Sequence, residues 1–439
     1  MKIAVVGTGI AGLTAAWQLH RDHEVTVYEA SPRIGGHTHT VDVVVAGRRF
    51  AVDTGFIVYN EQTYPNFVRL LRELGVATRA TEMSFSVQCL STGLEYASTA
   101  LFAQRRNVVR PGFFRLVAEI LRFFRAGQRF LAASPGDEES LAAFLDRHGF
   151  SLALRRYYLA PMLAAIWSAD PARVFDFPAR HFLAFFQNHG LLQATGGPTW
   201  RVVDGGSARY VEKLTAGFRQ AIRTDAPVEA VWRDQGGVWV KTPGGVPEAY
   251  DQVIIAAHSD EALDMLASPT RAEREVLGAI PYQRNEVVLH TDTRLLPRTR
   301  RAWASWNVRV PEDARGAVSM TYDMNRLQGI HDAPETFCVT LNDTGAIDPR
   351  RVLRTFEYSH PVFSRESVAA QARHHEISGG GIHFCGAYWG YGFHEDGVVS
   401  ALRVCDAIRA MAGGTPERET VHAQWPLCGA GASPALQAR

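Results

Sequence analysis

The chain has 439 residues, 21% of them charged, with a formal net charge of +1 at pH 7. That length supports two or three domains with substantial cores, and the balanced charge provides no global field for nucleic acid. Cys89, Cys338, Cys385, Cys405 and Cys428 are widely spaced and form no CxxC pair. This spacing fits a reducing cytosol and argues against a disulfide framework or a metal site. No apolar run reaches the ~18 uninterrupted residues that would argue for a membrane span. The N-terminus runs directly into a strand pattern, so no signal peptide is expected, and there is no internal repeat.

The segment from Lys2 to Gly36 sets the class of protein. Apolar Ile3–Val6 leads into Gly7-Thr-Gly9-Ile10-Ala11-Gly12, then a helical pattern, then a second apolar run, Val25–Tyr28, ending in Glu29. In such a strand–turn–helix–strand unit Gly7 makes the tight turn, Gly9 admits a pyrophosphate, and Gly12 allows close helix packing. The helix N-terminus supplies free N–H groups to phosphate, and Glu29 accepts from the adenosine ribose. The extension Ala30-Ser-Pro-Arg33-Ile-Gly35-Gly36 adds a second backbone approach, with Arg33 expected to neutralise phosphate charge.

Together Glu29, Ala30, Arg33, Gly35 and Gly36 resemble the E-A-x-x-R-x-G-G pattern of the flavin amine oxidase superfamily, which includes phytoene desaturases and protoporphyrinogen oxidases. The resemblance implies FAD as cofactor. It also implies an α/β fold: a discontinuous Rossmann-like (GR2-type) FAD-binding domain with an α+β substrate domain and a helical insertion. The expected segments are 1–80, 196–260 and 376–412 for FAD, 81–195 for the helical, membrane-facing part, 261–375 for the substrate sheet, and a disordered tail at 413–439.

Further along, Val41–Val45 and Arg48–Val52 read as a hairpin turning at Ala46-Gly47. Asp53-Thr54-Gly55 resembles the superfamily's loop beside the flavin, with an ordinary Asp-Gly type turn as the lesser alternative. A short amphipathic helix is expected from Tyr64 to a stop at Gly75, and strands at Phe85–Leu90 and Leu94–Tyr96.

Residues 103–133 hold seven arginines against a single acid, Glu119. At 100° per residue Arg115, Arg122, Arg125 and Arg129 share one face, while Phe123 and Phe124 belong to the apolar remainder. Two readings fit: an interfacial membrane helix, and a surface helix with solvated arginines. Helices then continue at Ser140–Gly149, Leu152–Trp167 and Phe177–His189.

Trp200-Arg-Val-Val-Asp-Gly205-Gly206 precedes a helical stretch at Ala208–Ala221. The superfamily pattern implies an adenine-side strand at Pro227–Trp232, with backbone from Val228 as the contact. Val238–Thr242 and Gln252–Ala257 are expected to complete a meander. Strands are expected at Glu286–His290, Ala302–Val308, Ala317–Tyr322 and Thr336–Leu341, whereas Arg351–Tyr358 and Val368–His375 fit helix or strand.

The last signature runs from Gly381 to Ala401 and resembles the superfamily's C-terminal flavin motif. It places Gly386 at the diphosphate and the helix start at Gly397 and Val398 against the pyrimidine edge. Site candidates are His37, His39, Tyr59, His258, Tyr388, Trp389, Tyr391, His394, Glu395 and Asp396. Glu395 or Asp396 acts as a base if its pocket is apolar, and otherwise serves as N-terminal helix charge. Tyr388 and Tyr391 either flank the flavin or are structural. The strand from Asn285 to Thr291 lacks the lysine that amine oxidases carry near the flavin.

DTGFIVYNEQTYPNF, WRVVDGGSARYV and GYGFHEDGVVSA together resemble a bacterial group of amine-oxidase-like flavoproteins associated with cyclopropane-type fatty-acid methyltransferases. That group includes the methylated-lipid desaturase of furan fatty-acid synthesis. The resemblance implies dehydrogenation of a methylated acyl chain within a phospholipid, a lipid methyltransferase as partner, and a cytoplasmic protein at the inner membrane face. Amine or isoprenoid oxidation, and a non-catalytic flavin-holding partner of the methyltransferase, are the competing expectations.

Overall fold

The computed structural model describes residues 1–133, 139–167, 174–312 and 319–413. All but the first residue of the expected tail at 413–439, and the start of the expected strand at Ala317, lie outside the described residues. At the centre is a parallel sheet ordered Ile222–Arg223, Glu24–Tyr28, Lys2–Val6, Gln252–Ile255, Ile382–Phe384. Its inner strands are apolar without alternation because both faces are covered, and Ile3, Val5, Val253 and Ile255 have no exposed surface. The helices Ile10–Leu19 and His394–Met411 pack together on one face.

Two expectations for this half change. Gln252–Ile255 pairs in parallel with the first strand instead of closing a meander; the meander's third strand is Glu248–Tyr250. The strand that follows the Ala208–Thr215 helix is Ile222–Arg223, and the next begins only at Ala230, leaving Val228 in the loop before it.

A seven-stranded sheet forms the second body, ordered Val352–Pro361, Tyr282–His290, Cys338–Leu341, Ser319–Asp323, Trp306–Val310, Phe85–Cys89, Glu95–Ala97. The segment left open at Arg351–Tyr358 is thus a strand, and Arg365–Ala372 and His374–Ile377 are helices. The strand expected from Ala302 starts at Trp306, because Arg300–Ala302 forms a tight helical turn.

The helical insertion carries Pro111–Ala132, Leu141–Arg147, Ala160–Trp167 and Ala179–Asn188. Ser140 caps the second of these, accepting from the Ala143 N–H at 3.2 Å. Gly127 lets the long helix approach its neighbour, since a Cβ there would sit 2.9 Å from Leu183 Cδ2. Arg115, Arg122, Arg125 and Arg129 are exposed along one face. Phe123, expected to contact lipid, is instead fully buried among Phe144, Phe150 and Phe186, and Phe124 is half-buried against Tyr158. The apolar side of this helix is spent on the insertion's own core.

Candidate active site

One continuous cavity of about 830 Å³ runs from the glycine turn to the helical insertion. Gly9, Ile10 and Ala11 line its first end. The helix that starts there has no side-chain cap and no acid in its first turn, so its leading N–H groups remain available to an anion. Gly7 takes φ +105°, and a Cβ on it would lie 2.8 Å from the Ala256 carbonyl oxygen. A Cβ on Gly36 (φ +57°) would lie 2.9 Å from Gly9 Cα, whereas a Cβ on Gly9 would meet nothing within 4 Å. The glycines therefore shape an open cradle. Gly12 packs against Gly7 behind it, as the close helix–strand contact requires.

Glu29 stands at the end of its strand on the cavity wall, beside Ala30 and near Val228. It accepts from the Thr8 hydroxyl, and from the Thr8 and Ser31 N–H groups at 3.2 and 2.9 Å. Arg33 does not face the cradle. Its guanidinium donates to the carbonyls of Gly36 (2.8 Å), Thr38 (2.9 Å) and Ile34 (3.3 Å), so it braces the loop instead of neutralising phosphate. Gly35 sits inside that loop at φ +114°, off the wall.

Thr54 and Gly55 line the cavity, but Asp53 is fully buried. It accepts from Thr40 Oγ1 (2.5 Å), Ser207 N and Oγ (2.9 and 2.8 Å) and Gln328 Nε2 (3.0 Å), and burial raises its pKa to about 6. Asp53 joins three segments of the chain and is not a turn residue.

At the C-terminal signature, Gly386, Tyr388, Tyr391, Phe393 and His394 reach the wall. Gly397 and Val398 do not. Gly397 lies against Ile10, where a Cβ would come within 2.7 Å of Cγ2, and Val398 is 2% exposed in the core between the two helices. His394 is buried, stacked on Phe56 at 3.5 Å and bonded to Thr38 Oγ1 (3.1 Å) and Tyr210 OH (3.0 Å); burial pushes its pKa down to about 3.

Both acids are directed away from the cavity. Glu395 accepts from the Asn66 and Phe67 N–H groups at 3.0 and 2.9 Å and from Asn66 Nδ2 at 2.7 Å, closing the N-terminus of the Pro65–Glu73 helix. Asp396 accepts from the Tyr391 and Phe393 N–H groups at 3.0 and 2.8 Å, and burial raises its pKa to about 7. Neither is placed as a base. His39 is likewise one layer back, its Nδ1 bonded to Tyr358 OH at 2.8 Å.

A group of rings that sequence reasoning only partly found replaces them on the wall. The His37 ring centroid lies 5.2 Å from Tyr358, 5.3 Å from His360 and 6.0 Å from His258. Asn285 Nδ2 donates to His360 Nδ1 at 3.0 Å, with its own Oδ1 held by Asn342 Nδ2 at 2.9 Å. His360 is therefore a neutral ring protonated at Nε2, and burial lowers its pKa to about 4. Burial and the neighbouring histidines hold His37 well below the usual imidazole range. The His37 Nε2 is buried and has no hydrogen-bond partner among the described residues. His360 sits in a segment whose mixed pattern gave it no signal, though the alternation across residues 352–361 marks a strand.

The far end of the cavity is an apolar chamber whose wall includes Phe85, Met162, Ile166, Phe185, Trp306 and Phe363. Among the described residues the whole cavity wall holds no lysine or arginine; the chain's lysines, Lys2, Lys213 and Lys241, all lie elsewhere. Its carboxylates (Glu29, Glu229, Glu261 and Asp264) belong to the cradle and meander end. The imidazole beside Phe185 at the chamber is His189, which burial keeps neutral with a pKa of about 4.

An uncapped helix N-terminus, a glycine cradle, a strand-end acid and a deep apolar chamber define the site of an FAD-dependent oxidoreductase with a Rossmann-like cofactor domain. The residues fit FAD: Gly9–Ala11, Gly36 and Gly386 would hold its diphosphate, Glu29 its ribose, and Thr54 and Gly55 would border its ring system. A family model described as flavin containing amine oxidoreductase matches residues 10–409, and the chain belongs to that family.

Among curated proteins, the carotenoid phi-ring synthase of Chlorobaculum tepidum is 35% identical over 78 residues, 18% of this chain and 12% of that protein's length. Among solved structures, cyclohexylamine oxidase from Brevibacterium oxydans superposes with TM-score 0.68 at 16% identity, covering 94% of this chain and 99% of that one. An engineered putrescine oxidase gives 0.71 at 17% identity, covering 93% and 99%. A conjugated-linoleic-acid-producing fatty acid isomerase from P. acnes gives 0.65 at 15% identity, covering 93% and 98%. At such identities these likenesses establish the fold.

Proposed function

We propose that the protein dehydrogenates an apolar chain, a methylated fatty acyl group of a membrane phospholipid, at a carbon beside a double bond or methyl branch. The observation that carries this reading is the chamber, whose aromatic and aliphatic wall has no fixed charge to hold a polar substrate. An ammonium group would enter without a carboxylate partner, which disfavours amine oxidation. The sequence resemblance to flavoproteins associated with lipid methyltransferases supports the acyl reading, with such an enzyme supplying the methylated substrate. Isoprenoid or carotenoid oxidation is the second reading, favoured by the same chamber and by the similarity to a carotenoid phi-ring synthase.

FAD, when bound, supplies a hydride acceptor at its N5 nitrogen. The chain's own residues do the rest. The chamber wall excludes water and holds the acyl chain extended towards the cradle. Forming the double bond removes a hydride from one carbon and a proton from its neighbour. His189, neutral beside the chamber with Nδ1 donating to the Phe185 carbonyl at 3.0 Å, presents Nε2 as the atom available to receive that proton. Tyr358, positioned by His39 Nδ1 and by Thr54 Oγ1 at 2.9 Å, fixes the edge of the site beside His37.

Anaerobic mixing of the holoprotein with methylated phospholipid vesicles is expected to bleach the oxidised flavin band. Bleaching by polyamines and not by lipid would overturn the reading. A band unchanged by lipids, amines and carotenoids would favour the non-catalytic, flavin-holding alternative.

A further inference from the structure

Eleven large apolar side chains are exposed among the described residues, and six of them cluster within residues 102–152: Phe102, Val108, Val109, Phe114, Leu121 and Leu152. Phe102, Val108, Val109, Phe114 and Leu121 lie on the Pro111–Ala132 helix and the segment that leads into it. The Phe102 and Phe114 rings lie 5.8 Å apart, and Val108 and Val109 end the turn that leads into the Pro111–Ala132 helix. Leu121 lies two turns beyond Phe114 on the same stripe of that helix. Leu152 is exposed on the neighbouring segment, whose Ser151 hydroxyl donates to Glu119 of the helix. Val109 and Leu152 are 79% and 80% exposed, levels at which a residue contributes nothing to the core.

Arginines surround this patch. Arg105, Arg115, Arg125 and Arg129 are exposed and have no ion-pair partner among the described residues. The acid on the helix, Glu119, is already engaged by Ser151 and Arg122. The opposite side of the same helical layer forms the chamber wall through Met162, Ile166 and Phe185. Among the described residues, no helix is long and apolar enough to cross a membrane.

We infer that the Phe102–Val109 segment and the outer face of the Pro111–Ala132 helix dock the protein on an anionic phospholipid bilayer. Phe102, Val108, Val109 and Phe114 insert among the acyl chains near the head groups, and Arg105, Arg115, Arg125 and Arg129 contact lipid phosphate. Apolar side chains ringed by uncompensated arginines suit a surface that is apolar a few ångströms beneath a layer of negative charge. A second protein copy would offer these arginines no such layer. The inference deepens the acyl-chain reading by naming the surface that receives the substrate's membrane, but it does not depend on any redox event.

Sedimentation of the holoprotein with vesicles tests it. Binding is expected to vesicles containing phosphatidylglycerol, with little to phosphatidylcholine alone, and to weaken as salt rises. V108D/V109D is expected to abolish it, and R115Q/R125Q/R129Q to lower the partition coefficient on the order of 100-fold, about fivefold per charge removed. V246D, which alters an exposed valine elsewhere, is expected to bind like wild type. All variants should retain the flavin absorbance of wild type, which reports folding. Equal binding to neutral and anionic vesicles, wild-type binding by V108D/V109D, or loss of binding through concentration-dependent self-association would overturn the inference. Because bleaching of the flavin is scored separately, failure of docking and failure of the dehydrogenase reading are distinguishable.

Discussion

Glu395 and Phe67 are 328 positions apart in the chain, and the carboxylate of one receives the N–H of the other at 2.9 Å. With the Asn66 contacts, Glu395 acts as the N-terminal cap that the Pro65–Glu73 helix lacks in its own sequence. Replacing Glu395 with Ala is expected to lower unfolding stability by roughly 2–3 kcal/mol, as for a buried charge-assisted cap. The flavin bleaching rate of the remaining folded protein should change little. A variant with wild-type stability and no bleaching would restore Glu395 as the base.

The cradle separates folding from cofactor binding. A Cβ on Gly9 meets only the cavity, and its φ of −66° suits any residue. Gly9→Val is therefore expected to fold like wild type in the apo form but to bind FAD at least tenfold more weakly, measured by flavin fluorescence quenching. Gly36→Ala, whose Cβ would press on Gly9 Cα at positive φ, is expected to lose stability and FAD together.

Burial also sets a pH response. His181, His189 and His394 are held at pKa values of about 4, 4 and 3, below the ordinary 6.5. Their contribution is present above pH 6.5 and is lost as pH falls towards 4, because the unfolded chain takes up protons first. Asp53 and Asp396, raised to about 6 and 7, act in the opposite direction and regain stability as pH falls. Urea midpoints between pH 8 and 5 are expected to fall for wild type, since the histidines outnumber the acids. His189→Phe should lose on the order of 2 kcal/mol less between pH 7 and 5. Asp396→Asn should be more stable than wild type at pH 8, with the difference shrinking as pH falls to 5 and gone only below the ordinary carboxyl pKa of 3.8.

The chamber's neutrality is testable by breaking it. Ile166→Lys places a charge where the wall has none, and is expected to keep the flavin spectrum while reducing lipid-driven bleaching at least 100-fold. Undiminished bleaching by this variant would exclude the chamber as the acyl site.

With His189 Nε2 taking the proton, His189→Gln should slow anaerobic bleaching by 10²-fold or more, with a solvent pH dependence unlike that of wild type. His39→Gln and Tyr358→Phe should each slow it less than tenfold, and no further when combined, because His39 acts through Tyr358.

The cofactor half of this site was legible in the sequence because glycine requirements are local. Gly7, Gly9 and Gly12 act within six positions of each other, and the backbone alone defines their role. The reactive wall was much less legible. Glu395 reads as an acid at a helix start, and only folding shows that Asn66 and Phe67 take up both of its oxygens. Arg33 reads as a phosphate ligand until its carbonyl partners at 34, 36 and 38 are seen. His360 gave no signal because its partner Asn285 comes from a strand 75 residues earlier. Phe123 and Phe124 show the same limit on the long helix: periodicity identifies an apolar side but not what covers it.

The first strand, Lys2–Val6, lies between Glu24–Tyr28 on one side and Gln252–Ile255 on the other. During synthesis its second edge remains open until residues 252–255 have emerged, and the Ile10–Leu19 helix lacks its partner until Gly397 arrives. For most of translation the nascent chain therefore exposes an unpaired strand edge and a bare helix face, the features that recruit chaperones and promote aggregation. Overproduction should accordingly benefit from added chaperone more than from added cofactor, because the first helix stays without its partner until the last helix is made.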